Sequence, residues 1–409
     1  LSKAQGIAAD TLPSANTPRG SNQSGMRAFN EKLALTLIRR HGALAKSDIT
    51  RLTGLSAQTS SVIMRRLEGD GLCLRGEPIR GKIGQPSIPM SINPDGAYFF
   101  GLKIGRRSAE LVLTNFRGEV IDRMARTHRY PDPEDSVKFA HQAINALKSR
   151  MDPDRTKRIA GLGIAMPFYL WNWAPALGVP DQTMAGWRHA DIRADIATRY
   201  DFPVYLENDA SAACSAEVAF GPPDSPSNYL YFYVGYFIGG GVVLNGALFT
   251  GPGGNSGALG PMPVLTRDGS VRQLIEVASL SAVERMLTDA GKPSDSLWTS
   301  TDGWDVDPAI IAAWIDSAGE GLARAIVAAC SVIDFSAVVI DGWLPLATRR
   351  QLVEAVTRHL SHQNMTGLEI PIIREGTAGP DARSLGAASL PLFDRYLLDQ
   401  NSLNTGKVT

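Results

Sequence analysis

Glu207-Asn208-Asp209-Ala210 closes the apolar run Pro203-Val204-Tyr205-Leu206, and a second apolar run, Tyr229 to Val234, follows it. The chain then turns glycine-rich: Gly235, Gly239, Gly240, Gly241, Gly246, Gly251, Gly253, Gly254, Gly257 and Gly260 fall in one short window. Glycine tolerates sharp turns and lets a backbone come close to a ligand. A carboxylate and an amide after one buried strand, and glycine loops after the next, therefore mark a site, and the rest of the chain frames it.

Outward from this stretch the rhythm is α/β. Upstream, Tyr98 to Ile104, Ala109 to Asn115 and Glu119 to Thr127 read as a strand meander with a hairpin turn at Phe116-Arg117-Gly118. A helix over Pro133 to Met151, a buried strand over Ile159 to Ala165 and a helix over Asp191 to Tyr200 lead to the strand before Glu207. Downstream the periodicity predicts helices over Arg272 to Ala290, Pro308 to Ile333, Leu346 to His359 and Ala382 to Tyr396, with strands at Ala337 to Ile340 and Ile370 to Arg374. Strands alternating with helices and ending in glycine turns imply a two-lobed domain with a cleft over 96–409. One lobe takes about 97–210 plus the C-terminal helix, and the other about 211–380.

The N-terminal part differs. Residues 1–25 are Ser-, Ala-, Asn-, Pro- and Gly-rich without periodicity and read as a flexible tail. From Asn30 a helix carries Leu33, Leu35, Leu37 and Ile38 on one face. Ser47 is expected to cap a short helix over Asp48 to Thr53, Gly54 to break it, and Ser56 to cap a third helix that turns Val62, Ile63 and Leu67 inward. Two short helices across a Thr-Gly-Leu-Ser turn are the helix-turn-helix pattern, and two strands around 72–93 add a wing. Candidate contacts to duplex DNA are Gln58, Thr59, Ser60 and Arg65 on the third helix, and Arg80, Lys82 and Gln85 at the wing tip. Charge agrees: residues 26–95 hold eleven Lys or Arg against six Asp or Glu, within a chain whose net charge is zero. A domain boundary is expected at Pro94-Asp95-Gly96.

At 409 residues the chain is too long for one core. No apolar run reaches the roughly 18 residues of a membrane span. Cys73, Cys214 and Cys330 lie far apart, so neither a disulfide framework nor a zinc signature is expected, and a reducing cytoplasm is. No cofactor and no metal ligand is assigned.

The order of winged helix-turn-helix, strand meander, Gly161-Leu162-Gly163-Ile164-Ala165-Met166-Pro167, Glu207-Asn208-Asp209-Ala210, glycine loop and late Gly-Ala-Ala segment resembles a ROK-family transcriptional regulator over roughly residues 28–395. The resemblance implies an actin/hexokinase-type, sugar-kinase-like domain. Where such kinases carry an Asp-x-Gly-x-Thr-like turn, this chain has Lys103-Ile104-Gly105-Arg106-Arg107, and the second phosphate loop reads Gly235-Tyr236-Phe237-Ile238-Gly239. A cation and two aromatic rings stand where metal and phosphate would be handled, so phosphoryl transfer is not expected. Gly257-Ala258-Leu259-Gly260-Pro261 lacks the Glu and His that the family uses for sugar. Asn208, Asp209 and Glu276 match sugar-contacting positions, and with Asn255 they are the candidate ligand residues. Plain structural roles compete with these: Asp209 as a helix cap, Glu276 as a surface ion pair, and Trp171, Trp173 and Trp187 as packing.

The reading expected on this basis is a repressor that binds operator DNA as a dimer or tetramer and responds to a sugar or polyol effector. The alternatives are a sugar kinase carrying an added DNA-binding module, and a regulator whose pocket has become a protein-binding surface.

Overall fold

The computed structural model describes residues 23–79, 87–174 and 178–398. The expected tail therefore lies outside the described residues up to 22, as do Arg80, Lys82 and Gln85 at the wing tip. Gln23 to Gly25, expected in the tail, already belong to helix α1 (Gln23–His41).

Helix α1 buries Ala34, Leu35 and Ile38 and ends in Arg39-Arg40-His41, cations that suit the carbonyl end of a helix. Helix α2 (Lys46–Thr53) starts earlier than expected. Its cap is Ala45, not Ser47, because the Asp48 carboxylate reaches back to accept the Ala45 N–H at 3.1 Å. Gly54, at φ 70°, ends it in the left-handed conformation that glycine adopts without strain. Helix α3 (Ala57–Gly69) begins as expected, with Ser56 Oγ accepting the Thr59 N–H at 3.1 Å. Its buried stripe is Ser60, Ile63, Met64 and Leu67, the i, i+3, i+4, i+7 set, so Val62 falls outside it and is 49% exposed. Strands β1 (Ala43–Leu44), β2 (Cys73–Arg75) and β3 (Met90–Ile92) pair in the order β1-β3-β2 and form the wing base.

Two five-stranded sheets follow. The first, in the order β6-β5-β4-β7-β8, consists of β4 (Tyr98–Ile104), β5 (Ser108–Asn115), β6 (Val120–Thr127), β7 (Ile159–Met166) and β8 (Val204–Asn208). The second, β11-β10-β9-β14-β15, consists of β9 (Tyr229–Val234), β10 (Gly239–Leu244), β11 (Ala247–Phe249), β14 (Ala337–Gly342) and β15 (Ile372–Glu375). Each is an antiparallel meander whose first strand pairs in parallel with a later one, so the two lobes repeat one plan. Helix Pro133–Ser149 covers the first sheet, and helices Pro308–Cys330 and Leu346–Leu360 contribute to the core on the second. The expected helix over Arg272 to Ala290 is instead three pieces. Strand β13 (Val271–Gln273) pairs with β12 (Pro263–Leu265), and helices Leu274–Ala278 and Leu280–Asp289 are separated at Ser279.

The last helix, Ala382–Tyr396, holds the lobes in place by lying almost backbone to backbone on its neighbours. A Cβ on Gly163 would sit 1.8 Å from the Ala387 carbonyl oxygen, and one on Gly386 would sit 1.6 Å from that of Ala212. Glycine is the residue that permits both approaches.

This helix also completes the N-terminal module. Ala34, Ile38, Ile63, Met64, Leu67, Met90 and Ile92 form one continuous core with Phe99 and Phe116 of the first lobe and with Ala388, Leu392 and Leu397. Arg39 lies across that junction. Its guanidinium donates to the carbonyls of Ala219, Phe116 and Arg117 and stacks 4.9 Å from the Phe220 ring, and burial lowers it to about 10. The expected boundary at Pro94-Asp95-Gly96 is thus a short 3-10 turn in the chain, across which the apolar core continues.

Candidate functional site

Asp209 opens the helix Asp209–Phe220 at the end of β8. Asn208 is its cap, with Oδ1 accepting the Ala210 N–H at 3.0 Å, so this amide serves the helix start. The Asp209 carboxylate pairs with Arg383 Nη1 at 3.3 Å, and the two side chains are 15% and 11% exposed. Arg383 comes from the first turn of the closing helix and stacks 5.0 Å from the Tyr233 ring of the second lobe.

Two further cations reach across from the first lobe. Lys103, at the end of β4, faces the ring of Trp343 at 5.6 Å, and burial pushes its ammonium down to about 8. Arg106 lies 4.4 Å from the Phe237 ring and 5.6 Å from Tyr236, and burial lowers it to about 9. Beside them, Arg107 pairs with Glu284 at 3.4 Å. The cleft is therefore spanned by cations meeting aromatic faces, contacts that gain strength when desolvated. The loop at 235–238 is occupied within its own lobe. The Ile238 N–H donates to Ser279 Oγ at 2.9 Å, while the carbonyls of Gly235 and Tyr236 accept from Leu280 and Ser281.

Asn255 is exposed on a loop whose Gly254 faces the Phe168 ring of the first lobe. Glu276 does not join Asp209. It is exposed and lines a separate cavity in the second lobe with Arg272, Arg285 and Glu320, whereas its neighbour Ile275 packs at the glycine loop against Gly260. Successive helical residues point about 100° apart, so one position decides which side of the wall a residue serves. Trp187 is buried and donates its indole N–H to the Pro131 carbonyl at 2.9 Å, which makes it packing. Trp171 meets Tyr169 edge to face, and the Trp173 side chain lies outside the described residues.

On the N-terminal module, Gln58 and Arg65 are exposed and Thr59 is half-buried, sharing a hydroxyl contact with Ser56 at 2.9 Å. Ser60 is withdrawn from the candidates: it is 0% exposed and accepts the Thr50 hydroxyl at 3.0 Å, which fixes α2 on α3. Arg66 and Arg75 are held by Glu31 and Glu68.

Sequence reasoning missed Arg383 and Arg39 and gave Arg106 no role of its own. Arg383 meets Asp209 across 174 residues, a pairing with no local signal.

The ROK family profile matches residues 99–392. The xylose repressor of Bacillus subtilis is 24% identical over 244 residues, which are 60% of this chain and 62% of that protein. The xylose repressor of Caldicellulosiruptor bescii is 24% identical over 310 residues, 73% of this chain and 76% of its own. Among solved structures, a ROK family transcriptional regulator homologous to the E. coli MLC protein superposes with a TM-score of 0.63 at 21% identity, covering 92% of this chain and 98% of the other. A ROK hexokinase from Thermus thermophilus superposes with a TM-score of 0.51 at 23% identity, covering 71% of this chain and 97% of its own. The match to the Bacillus repressors thus spans less than two thirds of their length.

Proposed function

The chain belongs to the ROK family, and from that premise we propose that it is a DNA-binding transcriptional repressor released or engaged by a sugar-class effector, in which the kinase-like cleft senses and does not catalyse. The observation that carries this reading is the pairing of Asp209 with Arg383 beside Lys103. A phosphotransferase needs a carboxylate base directed at a sugar hydroxyl and an anionic holder for magnesium. Here the carboxylate is engaged by a guanidinium, and an ammonium stands where the resemblance places the metal's carboxylate.

The winged helix-turn-helix supplies the output, with Gln58 and Arg65 exposed on α3 as its base and phosphate contacts. The names of the matched relatives, xylose repressor, support control by a sugar. Two copies of α3 would be needed to read successive major grooves about 34 Å apart, which favours a homodimer acting in the cytoplasm. Among the described residues no helix is long and apolar enough to cross a membrane.

The test combines two measurements on the full chain: retention of genomic DNA fragments as a function of salt, and sugar-dependent consumption of ATP. Salt-sensitive, sequence-selective retention without turnover is expected. Turnover above an Asp209→Ala control would favour the kinase with an added module, and absence of DNA retention would sink the repressor reading.

A further inference from the structure

Lys103 is 4% exposed, and among the described residues its ammonium makes no hydrogen bond: it faces the Trp343 ring at 5.6 Å and is drawn by the charges of Glu110, Asp209 and Asp381 without an ion pair to any of them. Buried cations ordinarily find acceptors, because desolvating them without one is expensive. Arg383 is better supported, by Asp209 and by Tyr233, but not fully. It has one carboxylate contact, Asp209, and its Nε is buried without an acceptor. The two cations flank Gly105: a methyl group placed on that glycine would lie 3.2 Å from the Ser108 carbonyl oxygen, 3.7 Å from Lys103 Cε and 3.8 Å from Arg383 Nη1. Glycine thus leaves space between them.

The nearby carboxylates do not fill the deficit. Glu110 and Asp381 are both drawn off by Arg123, at 3.3 Å and 2.8 Å, leaving Asp209 to face Lys103, Arg106 and Arg383. A neutral sugar could use Asp209 but would leave Lys103 without an acceptor. An oxyanion would satisfy it, and Arg383 adds a planar fork suited to carboxylate or phosphate oxygens.

We propose that the effector is an anionic sugar, a sugar phosphate or sugar acid, whose oxyanion sits between Lys103 and Arg383 beside Gly105 while Asp209 meets its hydroxyls. This rests on the sugar-sensing reading above and narrows it from sugars in general to charged ones. Binding would draw Lys103 from Trp343 and Arg383 from Tyr233, contacts that join the two lobes. The anion would then have the differential affinity for two cleft states that a switch requires.

The experiment is calorimetric titration of the full chain, with thermal shift alongside. The probes are glucose, xylose and xylulose, glucose 6-phosphate and xylulose 5-phosphate, gluconate and xylonate, inorganic phosphate, and ATP. At least one phosphate ester or acid is expected to bind tenfold or more tightly than its neutral parent and to weaken with salt. Lys103→Met is expected to erase that advantage, and Gly105→Ala to reduce it. The salt dependence is read on the parent protein, so the outcome does not depend on a variant that folds. A neutral sugar binding at least as tightly as its charged counterparts overturns this inference and leaves the sugar-sensing reading intact. Inorganic phosphate or ATP binding as tightly as any sugar ester also overturns it, by marking a simple phosphate site. No binding by any sugar removes both.

Discussion

Arg39 of α1 donates Nε to the Ala219 carbonyl at 3.2 Å, in the last turn of the helix that begins with Asp209. That helix has 12 residues, a rod of about 18 Å. Asp209 at the cleft and the Arg39 contact from the N-terminal module therefore sit at opposite ends of one rigid element.

Arg39→Met keeps the aliphatic stem and removes three donations to backbone carbonyls. It is expected to destabilise the chain by roughly 2–4 kcal/mol, since each carbonyl is left without its charged donor. Scanning calorimetry should show the single unfolding transition broaden or split as the module loosens. An unchanged sharp transition would mean the junction is held by its apolar core alone.

Lys103 makes stability depend on pH in a defined direction. Burial lowers its ammonium from 10.5 to about 8, against which Glu110, Asp209 and Asp381 pull upward and Arg383 pushes down. Between those pH values the unfolded chain holds a proton that the folded chain has released, so this residue makes stability rise with pH from about 8 to 10.5. Below pH 8 the charge is present in both states and opposes folding by at most about 3 kcal/mol. Lys103→Met should therefore stabilise the unliganded chain at pH 7 and remove this rise, so that the parent-minus-variant difference changes between pH 8 and 10.5, as read by urea unfolding at a series of pH values.

Gly386→Ala is expected to cost about 3 kcal/mol, because the added methyl must separate two helices whose backbones touch. Denaturant midpoints give the value. A cost below 1 kcal/mol would show that the closing helix shifts freely, and the rod described above would then not be held at its cleft end.

Gln58 and Ser60 lie two residues apart and should behave oppositely. Gln58→Ala is expected to change base preference by about 1–3 kcal/mol at one position of the site with little effect on folding. Ser60→Ala should leave base preference unaltered and lower stability by about 1 kcal/mol through loss of the Thr50 contact. Selection of bound fragments from a random duplex library, with melting curves for each variant, separates the two.

Local rules carried the reading where the cause was local. Ser56 capping α3, Gly54 ending α2 and the meander around Phe116-Arg117-Gly118 were legible because each is decided within a few residues. The glycines of β10 concealed a strand. Gly240 and Gly241 lie in it because Leu259 and Cys214 press on them, and both neighbours are distant in sequence. Ser279 divided a predicted helix for a similar reason, since its hydroxyl serves Ile238 in another loop. At the site, Asp209 was found from its motif, but its partner Arg383 depended on how the closing helix docks. Glu276 was misplaced because helical phase, set by the packing of Ile275 on Gly260, cannot be read from residue type.

Because Ala388, Leu392 and Leu397 belong to the core of the N-terminal module, that module is not finished when its own residues leave the ribosome. Until the closing helix has been made, Phe99 and Phe116 lack the Tyr396 ring that packs edge-on against them. A product that stops before the closing helix is therefore expected to carry α3 on a module whose core is incomplete. If the chain acts as the proposed repressor, such a product would occupy an operator poorly, and the closing helix would tie the competence of the reader to the presence of the sensor.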